Sequence, residues 1–242
     1  MTKLSVNLNK IALLRNQRDI GIPSVIEAAE TVIAAGAYGV TVHPRPDERH
    51  IRYSDVYELA EMMTVEFNIE GNPFTGRYME LAKEVRPDQA TLVPDMPGAN
   101  TSDHGWNLKE DGQRLLPVIK ELKEAGIRVS LFMDPVTEAI NTAKDIGADR
   151  IELYTEPYAT AFRSNKDLEE TLQKYADTAK AAGDIGLGVN AGHDLNLKNL
   201  GKFCSGVEGV LEVSIGHALI SEALWMGLEK VVKEYLKILA GN

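Results

Sequence analysis

Five short stretches hold most of the residues capable of chemistry. "VTVHPRPDERHIRYSD", residues 40–55, runs from a β-like triplet into His43, Arg45, Arg49 and His50. "TVEFNIEG" ends at Glu70, and "RIELYTE" carries Glu152. "LGVNAGHD" carries Asn190 and His193, and "LEVSIGHA" ends at Gly216 and His217. Imidazoles titrate near neutrality, and a carboxyl among apolar neighbours such as Phe67 and Ile69 has its proton affinity raised, so both suit proton transfer. Arginine suits phosphate, as do backbone N–H groups at a glycine-led strand-to-helix junction. Taken alone, the His43–His50 cluster fits a metal site, an acid/base and phosphate site, or a solvated loop. A metal site would draw on His43, Glu152, His193 and His217. The sequence offers no His-x-His on one strand and no HExxH helix to enforce it. Asp134 precedes a helix-starting proline, so capping accounts for it. Arg49 and His104 read as solvated surface.

The elements that must position these residues show as a repeated phrase: a helix-like run, a glycine, then a β-rich run. It occurs around Gly36, Gly126, Gly147 and Gly183, each suited to a helix C-terminus with positive φ. Helix starts appear at Ser24 with Glu27, Asn72 with Pro73, Asp134 with Pro135, and Asp167 with Glu170. The strands this predicts lie at approximately 4–9, 38–43, 64–70, 90–94, 127–132, 150–154, 185–190 and 209–215, with a last helix from about Ala218 to Leu239. About eight β–α units in one α/β domain over 1–242 predict a TIM barrel. A doubly wound sheet is disfavoured because no Gly-rich dinucleotide fingerprint follows the first strand. In a barrel the chemistry sits at the C-terminal strand ends, where the first strand offers Asn7, Asn9 and Lys10. The "NAGH" and "SIGH" junctions make Gly192 and Gly216 phosphate-contact candidates, since the last two loops form the phosphate site of many barrels. No lysine ends strands two to eight, which argues against an enzyme–lysine Schiff base. The long loop at 94–107 is a candidate lid.

Composition narrows the partners. The net charge is −10, which opposes general binding to nucleic acid or anionic membranes. Any phosphate site must therefore be a local concentration of positive charge. The single cysteine, Cys204, forms no internal disulfide and reads as a small buried hydrophobe. No apolar run reaches about 18 residues and no signal-peptide pattern is present, so a cytosolic protein is expected.

Together, "SVNLNKIALLRNQR", "TVHPRPDERHI", "FNIEG", "IELYTE", "VNAGH" and "IGHALI" resemble the pyridoxine 5′-phosphate synthase family of vitamin B6 biosynthesis. The blocks run from near residue 5 to near residue 220. The resemblance implies a TIM barrel that assembles as a homo-octamer built from dimers. It implies condensation of 3-amino-2-oxopropyl phosphate with 1-deoxy-D-xylulose 5-phosphate, without metal or organic cofactor. It assigns His43 and Glu70 as general bases, His193 as proton donor and Glu152 as a further acid/base or orienting carboxylate. Arg45, His50 and Thr101 would hold the deoxyxylulose phosphate, and Asn7, Arg18, Gly216 and His217 the amino-ketone phosphate. The chain departs from the family pattern at three points. Asn9-Lys10 stands where Asp-His is common, Asp194 where glycine follows Gly-His, and Thr155-Glu156-Pro157 where a Thr-Gly turn is common. Asn9, Lys10 and Asp194 stay among the substrate-binding candidates. A metal-dependent phosphosugar epimerase or aldolase on the same barrel, and a non-catalytic phosphate binder, remain the competing readings.

Overall fold

Every second residue of most strands is polar, and this alternation sets the architecture. The computed structural model describes residues 1–95, 98 and 101–241. Eight parallel strands pair in chain order: β1 (Lys3–Asn7), β2 (Gly39–Val42), β3 (Glu66–Gly71), β4 (Gln89–Leu92), β5 (Arg128–Met133), β6 (Arg150–Tyr154), β7 (Gly188–Gly192) and β8 (Val210–Ile215). β8 pairs back onto β1, so the sheet closes into a barrel and the doubly wound alternative falls. Leu4, Val6, Val40, Val42, Ile69, Leu131 and Val213 join one apolar core with the surrounding helices. The alternate residues face one another across the strands and are polar. Ser5 Oγ lies 2.7 Å from Thr41 Oγ1, Asn68 Nδ2 donates to Thr41 Oγ1 at 3.3 Å, and Thr91 Oγ1 donates to Asn68 Oδ1 at 3.0 Å. Buried polar groups require such partners.

The helices are α1 (Asn9–Arg15), α2 (Val25–Ala34), α3 (Tyr53–Met62), α4 (Tyr78–Val85), α5 (Leu108–Glu124), α6 (Ile140–Asp145), α7 (Glu156–Ser164), α8 (Leu168–Asp184), α9 (Leu200–Gly206), α10 (His217–Met226) and α11 (Leu228–Ala240). Ser24 caps α2 by accepting from the Glu27 N–H at 3.2 Å. Gly36, Gly126 and Gly147 take positive φ as expected, whereas Gly183 lies inside α8 and Gly186 (φ +74°) makes that turn. Two expected caps are not caps. Asn72 accepts from the Phe74 N–H and donates to the Asp95 carbonyl, and α4 begins only at Tyr78. Asp134 accepts from the Gly105 N–H, and α6 begins at Ile140. Asp167 occupies the N-cap of α8, but its side chain makes no cap bond. The last predicted helix is two, broken at Gly227 (φ +85°). Asn9 belongs to α1 and not to the first strand. Cys204 is partly buried on α9. Among the described residues no helix is long and apolar enough to cross a membrane.

Candidate active site

The C-terminal ends of the strands enclose a cavity of about 270 Å³. Asn7, Asn9, Lys10, His43, Arg45, His50, Glu70, Thr101, Glu152, His193, Asp194, Gly216 and His217 all line it. Thus every expected site residue except Arg18 and Gly192 meets there. Arg18 lies exposed in the turn after α1 and does not line the cavity. Of the expected lid, Met96, Pro97, Ala99 and Asn100 lie outside the described residues. Its C-terminal part is anchored to the barrel, because Trp106 donates from its backbone to Phe132 O at 2.9 Å and from its indole to Leu92 O at 2.8 Å.

The first turn of α1 braces the second strand end. Asn9 Oδ1 accepts from the His43 backbone N–H at 2.9 Å, and Asn7 Oδ1 accepts from the Asn9 N–H at 3.0 Å. Asn7 Nδ2 in turn donates to Glu70 Oε2 at 3.3 Å. The His43 ring stands between two carboxylates, its Nδ1 3.8 Å from Glu70 Oε2 and its Nε2 3.6 Å from Asp95 Oδ2. Burial lowers its proton affinity well below the ordinary imidazole value, and Arg45, His50, His193 and Arg49 lower it further. Burial pushes Glu70 up to about 8, helped by the charge of Asp95 and opposed by Arg45 and Asn7. His50 accepts from the Ile51 N–H on Nδ1 at 2.9 Å, so its neutral ring carries the proton on Nε2. Burial, then Arg45, Lys10 and Arg49, push it down to about 4.

On the opposite side, His193 packs on Phe132 and Tyr154, with ring centroids 4.9 and 5.5 Å away. Burial, then Arg45 and Lys10, push it down to about 4. Glu152 is 1 % exposed, and neither carboxyl oxygen has a hydrogen-bond partner among the described residues. Burial and the neighbouring Glu70 raise its proton affinity well above the carboxylate norm. Gly192 does not line the cavity, and a Cβ there would lie 2.4 Å from Glu152 Oε1, so this glycine makes room for the glutamate. Gly216 is the N-cap of α10 and packs on Asn7, where a Cβ would meet Asn7 Cβ at 3.1 Å. The N-terminus of α10 therefore opens onto the cavity, a geometry suited to an anion. His104 pairs with Asp103 at the surface, as expected, whereas Arg49, paired with Asp47, is half-buried and near enough to lower the proton affinity of His43. Among the described residues no three of His, Cys, Asp and Glu are grouped so as to hold a metal ion.

Sequence reasoning missed Asp95. It is 7 % exposed, lies just beyond β4 and pairs with Arg45 Nη2 at 2.5 Å. The rule applied to the other strand ends would have found it in "LVPD".

Residues 4–241 match the family model described as "Pyridoxal phosphate biosynthesis protein PdxJ". A pyridoxine 5′-phosphate synthase from Christiangramia forsetii is 54 % identical over 99 % of this chain and 100 % of its own. One from Xanthomonas campestris pv. campestris is 54 % identical over 100 % and 97 %. The chain belongs to the PdxJ family. Solved structures share the fold at much lower identity. A thiamine phosphate pyrophosphorylase from Pyrococcus furiosus has a TM-score of 0.61 at 15 % identity, covering 99 % of this chain and 96 % of that one. A phosphoribosylanthranilate isomerase from Thermotoga maritima has 0.60 at 13 %, covering 100 % of both. These show the barrel alone. The departures that the resemblance implies take definite places. Lys10 lines the cavity from α1, Asp194 lines it in an exposed turn at φ +55°, and Thr155-Glu156-Pro157 starts α7.

Proposed function

We propose that this chain condenses 3-amino-2-oxopropyl phosphate with 1-deoxy-D-xylulose 5-phosphate to give pyridoxine 5′-phosphate, inorganic phosphate and water. The carrying observation is one cavity that joins Glu70, Glu152, His43 and His193 to two anion-accepting regions. Arg45 and His50 form one beyond β2. Lys10 after β1, with Gly216 and His217 after β8, forms the other, next to the first in barrel order.

The reaction is redox-neutral, so it asks the protein for binding and proton transfers. The amine of one substrate attacks the ketone of the other, and the Schiff base forms between substrates. Enolisation, loss of water, loss of phosphate, ring closure and aromatisation then need acids and bases on several sides of one intermediate. Glu70 and His43 are the proposed bases. A carboxyl near pKa 8 is a stronger base than an ordinary carboxylate and is still partly ionised at neutral pH. His193 is the proposed donor. Burial, then Arg45 and Lys10, hold its proton affinity down, and substrate phosphates beside those cations offset the part the cations contribute. Glu152, whose burial raises its proton affinity well above the carboxylate norm, is the proposed further acid. Asn7, Asn9, Thr101 and Asp194 are proposed to orient the substrates, while Arg18 has no cavity contact to support its assignment.

The proposed assembly is a homo-octamer built from dimers, and the proposed compartment the cytoplasm, where phosphate esters are retained because charged groups cross bilayers poorly. The test is incubation of the purified protein with both substrates. Pyridoxine phosphate absorption and released phosphate are expected in equal amounts. No product from folded protein overturns the reading.

A further inference from the structure

Asp95 stands where two functions meet. Its Oδ2 lies 2.5 Å from Arg45 Nη2 and 3.6 Å from His43 Nε2, and accepts from Ser102 Oγ at 2.9 Å. Its carbonyl accepts from Asn72 Nδ2 at 2.9 Å, which pins the backbone beneath the carboxylate. We infer that Asp95 is a positioning residue that couples anion capture to base priming: it holds the Arg45 guanidinium until a substrate phosphate takes it, and is then released toward His43 Nε2. This rests on the reading of Arg45 as a phosphate grip.

The physical argument is one of exchange. A buried carboxylate and guanidinium are both costly unless paired, so each keeps the other in place. An incoming phosphate offers the planar Arg45 guanidinium a doubly charged acceptor, two of whose oxygens match its fork. Asp95 then loses its nearest cation, and a short rotation brings its oxygen from 3.6 Å to hydrogen-bond distance of the imidazole. The charged and titratable groups facing His43 are Glu70 from β3, Asp95 beyond β4, His193 beyond β7, and Arg45, Arg49 and His50 from the loop after β2. Anion capture at Arg45 neutralises one of the cations that disfavour imidazolium and uncovers an anion that favours it. Both changes have the same sign, so the proton affinity of His43 rises when the phosphate arrives: at neutral pH the still neutral imidazole becomes a stronger base toward the reacting amine, and at lower pH the same rise shows as proton uptake from solvent. The base thus reaches its full strength only in a loaded site.

Calorimetric titration with sulfate, which does not itself titrate near neutrality, tests this. It is run at about pH 6 in two buffers of different ionisation heat, a pH at which imidazole protonation is readable. The wild type is expected to take up a proton fraction on binding. Asp95→Asn, which has no internal anion to compete, is expected to bind sulfate about three- to tenfold more tightly and to lose most of the uptake. Equal or weaker binding by a folded Asp95→Asn variant overturns the inference. So does wild-type binding without proton uptake, or no binding, and these outcomes need no variant to fold. With both substrates, Asp95→Asn is expected to lower KM for the phosphosugar while lowering kcat, whereas a merely structural residue would raise KM. If the wild type makes no pyridoxine phosphate, the functional reading fails while the sulfate titration still judges the coupling.

Discussion

Glu152 and Glu70 share one site but differ in how their charge is managed. Glu70 has Asn7 as a donor and Arg45 nearby, whereas Glu152 has no hydrogen-bond partner among the described residues. A carboxyl whose folded pKa lies above its unfolded value binds more protons folded than unfolded. Stability therefore falls as pH rises from the ordinary value of 4.5 toward the raised one. Glu152→Gln removes that slope. Its melting temperature relative to wild type is expected to climb as pH rises above the ordinary carboxyl value of 4.5, read by calorimetry across buffers, and a constant offset would mean that Glu152 ionises freely. The histidines act with the opposite sign. His50 and His193, pushed down to about 4, bind fewer protons folded than unfolded, so stability is lost as pH falls from 6.5 toward 4. For turnover, a base at about 8 predicts that kcat/KM rises up to that pH. Glu70→Gln should abolish the rise and lower kcat by about 10²- to 10⁴-fold, measured by product absorption.

At the scale of elements, the loop that carries Arg45 and His50 is held from α1. Arg15 donates to both Asp55 oxygens, at 2.5 and 2.9 Å, and to His50 O at 3.1 Å, and Asn16 Nδ2 reaches the carbonyls of Glu48, Arg49 and His50. Arg15 and Asp55 are both buried, so truncating one strands the other's charge. Arg15→Ala is expected to cost about 3–5 kcal/mol in urea unfolding, with KM for the phosphosugar raised by the loosened loop. A loss below about 1 kcal/mol would mean that water satisfies Asp55 at little cost. None of this bracing was legible in the sequence, since Arg15 sits in an ordinary-looking helix and Asp55 pairs with it from 40 positions away. The barrel was legible because each helix–glycine–strand phrase is local. The interior was half legible: "VEFNIEG" and "RIELYTE" alternate like half-wet antiparallel strands, whereas parallel strands usually read as continuous apolar runs. Strand ends gave the cavity residues directly. Caps failed where a side chain found a distant partner, as Asp134 did in Gly105 and Asn72 in Asp95.

For the whole molecule, a barrel with its helices already packed should hide its large apolar side chains, yet Leu224 is 68 % and Trp225 89 % exposed. Both lie on the last turn of α10, just before Gly227 turns the chain into α11. α11 packs on α2 and β1, so the junction is held rigidly against the barrel while its apolar tip points outward. A tryptophan offers about 150–250 Å² to a partner, and at about 25 cal/mol per Å² its burial is worth several kcal/mol. The proposed octamer gives this tip a place to be buried, while the −10 net charge of each chain opposes association and makes such apolar anchors necessary. Trp225→Glu leaves the barrel core untouched, so far-ultraviolet dichroism should be unchanged. Truncating an anchor of this kind costs about 2 kcal/mol or more per contact, roughly thirtyfold in each dissociation constant. Sedimentation velocity at micromolar concentration should then show the wild type as one large species and Trp225→Glu as smaller ones. An unchanged species would place Trp225 outside the contacts, and a monomeric wild type would dispose of the octamer itself.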